Sequence, residues 1–239
     1  MKVVLHCPEC GIDAGQFMSD LIPQNDSRYS ISCPRGHEFQ VEILNFQFEK
    51  LFETSIYSIV NGYYREAVGA LAASYESFVR LFIEIVVSAR KTDESSSQEA
   101  WKKIAKQSER QLGAYIYLYL IEFNSMPLLI PESKTALRNR VIHQGYFPDK
   151  EECLAYGRCI LASIRNAKSK LHDSEALTIE ISKSIFKTGD HSREGGGMSY
   201  LVWPLIGINR PPGVDDKTLD EMVEYVACLG SLPLPSVGC

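Results

Sequence analysis

The sequence predicts a mainly α-helical bundle, with a small cysteine-rich module before it and a mixed α/β tail after it. Apolar residues recur at three- and four-residue spacing through 46–172, the repeat of a helix with one buried face. Residues 1–45 show short β-branched runs and paired thiols instead, and after about residue 173 the pattern shifts to turn residues and short apolar runs. A hydrophobic content of 45% over 239 residues is ample for a core and excludes a disordered chain.

In the N-terminal module, Val3-Val4-Leu5 leads into Cys7-Pro8-Glu9-Cys10-Gly11, and Tyr29-Ser30-Ile31 leads into Cys33-Pro34-Arg35-Gly36-His37 after 22 intervening residues. Each turn presents soft or borderline ligands. Cys7, Cys10, Cys33 and His37 together supply the four donors that tetrahedral zinc takes, with His6 a weaker fourth ligand because it adjoins Cys7. A closed set of four leaves no position for substrate water, so the expected metal is a structural zinc. The module resembles a zinc ribbon, although the second half departs from the usual pair of cysteines; a redox Cys-x-x-Cys is the other reading. The remaining cysteines, Cys153, Cys159, Cys228 and Cys239, read as scattered thiols.

The bundle begins with helical periodicity over 46–90, broken at Asn61-Gly62. Glu76 lies four residues before Arg80, the spacing of an ion pair along one helix. Thr92–Ser97 reads as a polar connection, Gln98–Phe123 as one further helix and Asn124–Pro131 as a loop. The alternation Tyr115-Ile116-Tyr117-Leu118-Tyr119-Leu120 taken alone would be a strand, but helical periodicity on both sides overrules it. Glu132–Gln144 forms a helix between Pro131 and Gly145, and Asp149–Leu171 another. In the tail, Ala176–Ile181 is expected as a strand, Gly189–Gly197 as a turn, Met198–Ile208 as β-rich and Asp215–Leu229 as a final helix capped by Asp215 or Asp216.

Chemistry concentrates in Arg138-Asn139-Arg140-Val141-Ile142-His143, followed by Gln144-Gly145-Tyr146-Phe147-Pro148. A fixed cation, an amide and an imidazole fall within about one and a half helical turns, a set that can bind a phosphodiester and move its proton. Asn139 and His143 share a helix face, whereas Arg138 lies about 140° round from His143. A site shared between packed helices or two subunits would reconcile them. No phosphate loop, Ser-His-Asp set or internal repeat is found.

This run resembles the signature of HEPN-domain proteins, an Arg, a polar neighbour, three residues and a His, on the penultimate long helix of a bundle. Tyr63–Phe78 upstream and Asp149–Leu171 downstream are similar to the family's flanking helices, so the resemblance covers about 46–172. It implies a HEPN-type bundle and a metal-independent RNA endonuclease, working as a homodimer, in which the 2′-hydroxyl attacks the adjacent phosphate. Arg138 would stabilise the phosphorane, His143 would transfer the proton and Asn139 would orient the phosphate or His143. Glu76, Arg140 and Tyr146 are accessory candidates. In biological terms the resemblance implies a toxin or antiviral-defence effector with an antitoxin or defence-system partner. Tyr146 stands three residues after the His where HEPN toxins often carry a Tyr at two, which sets apart any regulation through it. The rival is a non-catalytic adaptor that scaffolds a protein or nucleic-acid partner.

The formal charge of −5 excludes general coating of nucleic acid, yet 131–172 carries eight Lys or Arg against four acids, compatible with one RNA-facing groove. No export signal or membrane-spanning run is found, so a cytoplasmic protein with reduced thiols is expected.

Overall fold

The computed structural model describes residues 2–11, 15–188, 198–200, 204–209, 213 and 217–231. Two antiparallel hairpins come first: β1 (Lys2–His6) with β2 (Gln16–Asp20), and β3 (Arg28–Ser32) with β4 (Glu38–Ile43). Alternate residues point inward, Val3 and Leu5 from β1, Tyr29 and Ile31 from β3, Val41 and Ile43 from β4, as the two-residue repeat of a strand requires. Phe17 meets Phe39 edge-on at 6.2 Å and joins the two hairpins into one small core.

Eight helices follow among the described residues: α1 (Gln47–Val60), α2 (Tyr64–Ala89), α3 (Glu94–Ile104), α4 (Ser108–Phe123), α5 (Glu132–Gln144), α6 (Lys150–His172), α7 (Glu175–Thr188) and α8 (Leu219–Ser231). The long α2 is central and packs against α1, α4, α5, α6 and α7. Val68, Leu71, Phe78, Val79, Phe82, Ile85 and Val86 recur on its buried face at intervals of three and four. Phe82 is the hub, edge-on to Tyr115 at 4.8 Å and stacked on Tyr119 at 5.8 Å. These tyrosines are four apart in α4, which is how an alternating aromatic run becomes one helical stripe.

Four expectations change. Gln98–Phe123 is not one helix: α3 starts at Glu94, capped by Asp93, whose carboxylate accepts from Ser96 N–H at 2.8 Å, and ends before a turn at 105–107. Ala176–Ile181 is not a strand but part of α7, because Leu177 and Ile181 are buried on one face four residues apart. Its β-branched content suits a strand locally, and tertiary burial overrides it. Among the described residues of Met198–Ile208, Met198–Tyr200 (β5) is a strand and 204–208 is not; 201–203, with Trp203, and Gly189–Gly197 lie outside the described residues. Finally, α8 begins at Leu219 and is capped by Thr218, which exchanges hydrogen bonds with Glu221; Asp215 and Asp216 also lie outside the described residues.

The tail is stitched to both earlier parts. Strand β5 pairs in parallel with β4, and α8 packs on α1 and α6. At the start of α1 the buried Glu49 carboxylate accepts from Phe46 N–H at 3.0 Å and from Ile208 N–H at 2.9 Å, while His172 Nε2 lies 2.7 Å from the Ile208 carbonyl. Lys50 next to it donates to the Gln24 carbonyl and the Ser27 hydroxyl at 3.0 and 2.9 Å. Burial pushes the carboxyls of Glu49 and Glu53 up to about 7. No described helix is long and apolar enough to cross a membrane.

Candidate active site

Leu137 and Val141, both buried and four apart, seat α5 on α2 and so set its rotation. Pro131, at φ −59°, starts the helix in the N-cap position, and Gly145 ends it at φ 68°, a left-handed conformation that glycine takes without strain. One position along from Leu137, Arg138 is turned partly toward α2. Its Nη2 donates to Glu76 Oε1 at 2.5 Å, and its Nη1 donates to Asn139 Oδ1 at 3.0 Å. Glu76 therefore does not pair with Arg80 along α2. Arg80 Nε instead pairs with Glu84 at 2.9 Å, one turn further on, because Glu76 looks across to α5.

Arg138, Asn139 and Glu76 share the wall of a cleft of about 220 Å³ that is otherwise largely apolar. Ser108, Glu109 and Gln111 from the start of α4, Tyr75 from α2, Thr135 from α5 and Tyr156 from α6 add to its polar lining. Burial pushes the Tyr156 hydroxyl well above the usual phenol range, against the pull of the Arg138 cation. No local signal in the sequence marks Ser108, Gln111 or Tyr156, since they come together only through the packing of different helices.

His143 is exposed in the last turn of α5, does not line the cleft, and has no hydrogen bond among the described residues. Arg140 and Tyr146 make a separate cluster around Glu152: Arg140 Nη2 lies 3.3 Å from Glu152 Oε1, the Tyr146 hydroxyl donates to Glu152 Oε2 at 2.8 Å, and the Arg140 guanidinium stands 4.1 Å over the Tyr146 ring. The hydrogen bond to Glu152, with burial second, raises the Tyr146 hydroxyl. Glu152 also accepts from Asp149 N–H at 3.2 Å in the cap of α6, so this cluster fixes the loop between α5 and α6. Of the eight cations counted in 131–172, at least four (Arg138, Arg140, Arg158 and Lys170) form ion pairs within the chain.

At the hairpin tips Cys7, Cys10, Cys33 and His37 converge, their ligand atoms all within 4.8 Å of one another. The Cys10–Cys33 sulfurs are 3.9 Å apart, and His37 Nδ1 lies 3.5, 3.2 and 3.6 Å from the sulfurs of Cys7, Cys10 and Cys33. A tetrahedron with Zn–S of about 2.3 Å and Zn–N of about 2.0 Å has edges of about 3.8 and 3.5 Å, so the donor set fits a zinc-sized ion. His37 offers Nδ1 inward and has Glu9 3.7 Å from Nε2, a carboxylate placed to orient the ring. Burial opposes ionisation at Cys33, but the N–H groups of His37 and Arg35 outweigh it and bring the thiol down to about 6, in the thiolate direction a metal requires. Cys10 is pushed up to about 11 by burial and by its contacts with Cys7 and Cys33. Gly15 closes the first tip: Cys7 N–H donates to its carbonyl at 2.8 Å, and a Cβ there would fall on the Gly11 and Cys7 carbonyls. His6 is outside the set.

Comparison with protein-family models, curated proteins and solved structures finds no match to this chain.

Proposed function

We propose that the chain is a metal-independent endoribonuclease of HEPN type, acting as a two-fold homodimer in a toxin or antiviral-defence setting with an antitoxin or defence-system partner. The observation that carries this reading is the Glu76–Arg138–Asn139 wall of the cleft, on the same helix whose last turn presents His143. Glu76 and Asn139 each engage one N–H of the guanidinium. An arginine has five N–H donors in a fixed fork, so about three remain for phosphate oxygens. Arg138 then stabilises the charge of the phosphorane, and Asn139 orients the phosphate.

The 2′-hydroxyl of the RNA attacks the adjacent phosphorus and closes a 2′,3′-cyclic phosphate as the bond to the 5′ oxygen breaks. His143 as imidazolium gives its proton to that leaving oxygen, and the proton of the 2′-hydroxyl passes to water or to the neutral imidazole of the second copy. Because His143 sits about 140° round α5 from Arg138, the dimer brings the His143 of one copy toward the Arg138 of the other.

Cys7, Cys10, Cys33 and His37 take one structural zinc in a ribbon-like module, remote from the chemical step. The competing adaptor reading draws on one observation, that Glu76 already neutralises Arg138. Incubating the purified chain with RNA in EDTA and mapping the new ends separates the two. Cyclic phosphate or 3′-phosphate ends support the nuclease; intact RNA supports the adaptor.

A further inference from the structure

Nine residues at the junction of α3 and α4 hold a one-sided run of positive charge. Between 102 and 110 stand Lys102, Lys103, Lys106 and Arg110 against the single acid Glu109, in a chain of formal charge −5. All four cations are exposed. None forms an ion pair among the described residues, whereas Arg80, Arg90, Arg138, Arg140 and Arg158 all do. Those five arginines are matched with carboxylates; here the charge is left open.

The turn that carries these cations is held in shape. Arg110 Nη1 donates to the Lys103 carbonyl at 2.9 Å and Gln111 Nε2 to the Ala105 carbonyl at 2.7 Å, while Gln107 N–H donates to the Ile104 carbonyl at 3.1 Å. The main chain is thereby satisfied internally, and the lysine ammonium groups are left to solvent. The turn also adjoins the candidate active site, since Ser108, Glu109 and Gln111 line the same cleft as Arg138 and Asn139. Lys106 is two residues from Ser108, hence within about 7 Å along the chain.

Resting on the nuclease reading above, we infer that Lys102, Lys103, Lys106 and Arg110 form the docking track for the phosphate backbone of single-stranded RNA, leading the strand into the Arg138 cleft. A polyanion is the partner this chemistry fits: four flexible or forked cations spaced along one turn, with no apolar anchor among them and the single carboxylate of Glu109 against their four charges. Contacts of this kind position a strand without reading its sequence. They also give an acidic protein a local attraction for RNA that its total charge denies it.

The test measures the affinity of the full chain for a fluorescent 2′-O-methyl RNA oligonucleotide, which cannot be cleaved by 2′-hydroxyl attack, as salt rises from about 50 to 200 mM. Each phosphate contact on a single strand contributes a slope of about 0.7 in log affinity against log salt. The combined variant Lys102→Ala, Lys103→Ala, Lys106→Ala is therefore expected to lose about 2 from that slope. Wild type should shed about twentyfold more affinity than the variant over this range. Lys183→Ala, which removes a lysine already paired with Glu180, is expected to behave as wild type. Circular dichroism of the triple variant should match wild type, since these side chains are exposed.

If the triple variant keeps the wild-type affinity and slope, the docking track is wrong, whatever cleavage shows. If polyglutamate binds with this lysine dependence and the oligonucleotide does not bind, the track is likewise overturned, in favour of an acidic protein partner. If the oligonucleotide binds with the expected lysine dependence while ordinary RNA stays uncut, the docking surface stands and the nuclease reading falls. A triple variant that cleaves with raised KM and unchanged kcat supports both.

Discussion

Arg138 Nη2 and Glu76 Oε1 stand 2.5 Å apart, tying α5 to α2 at the edge of the cleft. The Glu76 side chain is 44% exposed, so the pair contributes little to stability, about 1 kcal/mol at most. Its effect is on orientation. Glu76→Gln should leave thermal stability nearly unchanged while lowering RNA cleavage, and Arg138→Ala and His143→Ala should each lower cleavage by about 10²–10⁴-fold. Initial rates on an RNA oligonucleotide and on its DNA counterpart measure this. A His143→Ala chain that cuts at the wild-type rate would remove α5 from the mechanism.

For the metal, the expectation is about one zinc per chain in protein purified without chelator. Cys10→Ser should lose it and with it the order of residues 2–43, because zinc binding to small modules is worth about 10–16 kcal/mol. Elemental analysis together with proteolysis of the hairpins reads both. Retention of stoichiometric zinc by Cys10→Ser would rule out the four-ligand set.

A pH effect follows from Glu53, which is buried and has no hydrogen-bond partner among the described residues. Burial raises its carboxyl from 4.5 to about 7, so the folded state binds the proton more tightly than the unfolded state. The stability it contributes is full below about 4.5 and is lost as pH rises through about 7. Glu53→Gln is permanently neutral there. Relative to wild type, it should gain about 2 kcal/mol more at pH 8 than at pH 5, measured by denaturant unfolding. An equal gap at both pH values would contradict the burial of this charge.

Phe82 gives the plainest test of the core. It touches Tyr115, Tyr119 and Phe123 at ring distances of 4.8, 5.8 and 6.2 Å, so Phe82→Ala empties the centre of the α2–α4 packing. A loss of about 3–5 kcal/mol is expected. Urea unfolding monitored by tyrosine fluorescence would show it.

Helix-borne features were legible from sequence. The bounds of α5, the break at Asn61-Gly62 and the ligand quartet each follow from local spacing or from residues whose conformation is restricted. What local spacing does not carry is which surface a side chain turns toward. Glu76 meets Arg138 rather than Arg80 because α5 crosses α2 at that point, and α7 is helical because Leu177 and Ile181 find burial four residues apart. Likewise the surplus of cations in 131–172 reads as a groove in a one-dimensional count, but at least four of the eight meet carboxylates brought from α2, α6, α8 or the residue just after α6. The open charge at 102–110 was visible in sequence as four cations in nine residues; its neighbourhood to Arg138 was not.

The parallel pairing of Val41–Ile43 in β4 with Met198–Tyr200 in β5 bears on modularity. The cysteine-rich hairpins look like a cassette that could be moved to another protein, yet one flank of their second sheet is supplied from more than 150 residues further along the chain. Transplanted alone, residues 1–45 would carry a bare strand edge with unpaired N–H and C=O groups, a template for pairing with a second molecule. A graft meant to stay monomeric would have to bring a surrogate for β5, or cover that edge with charge.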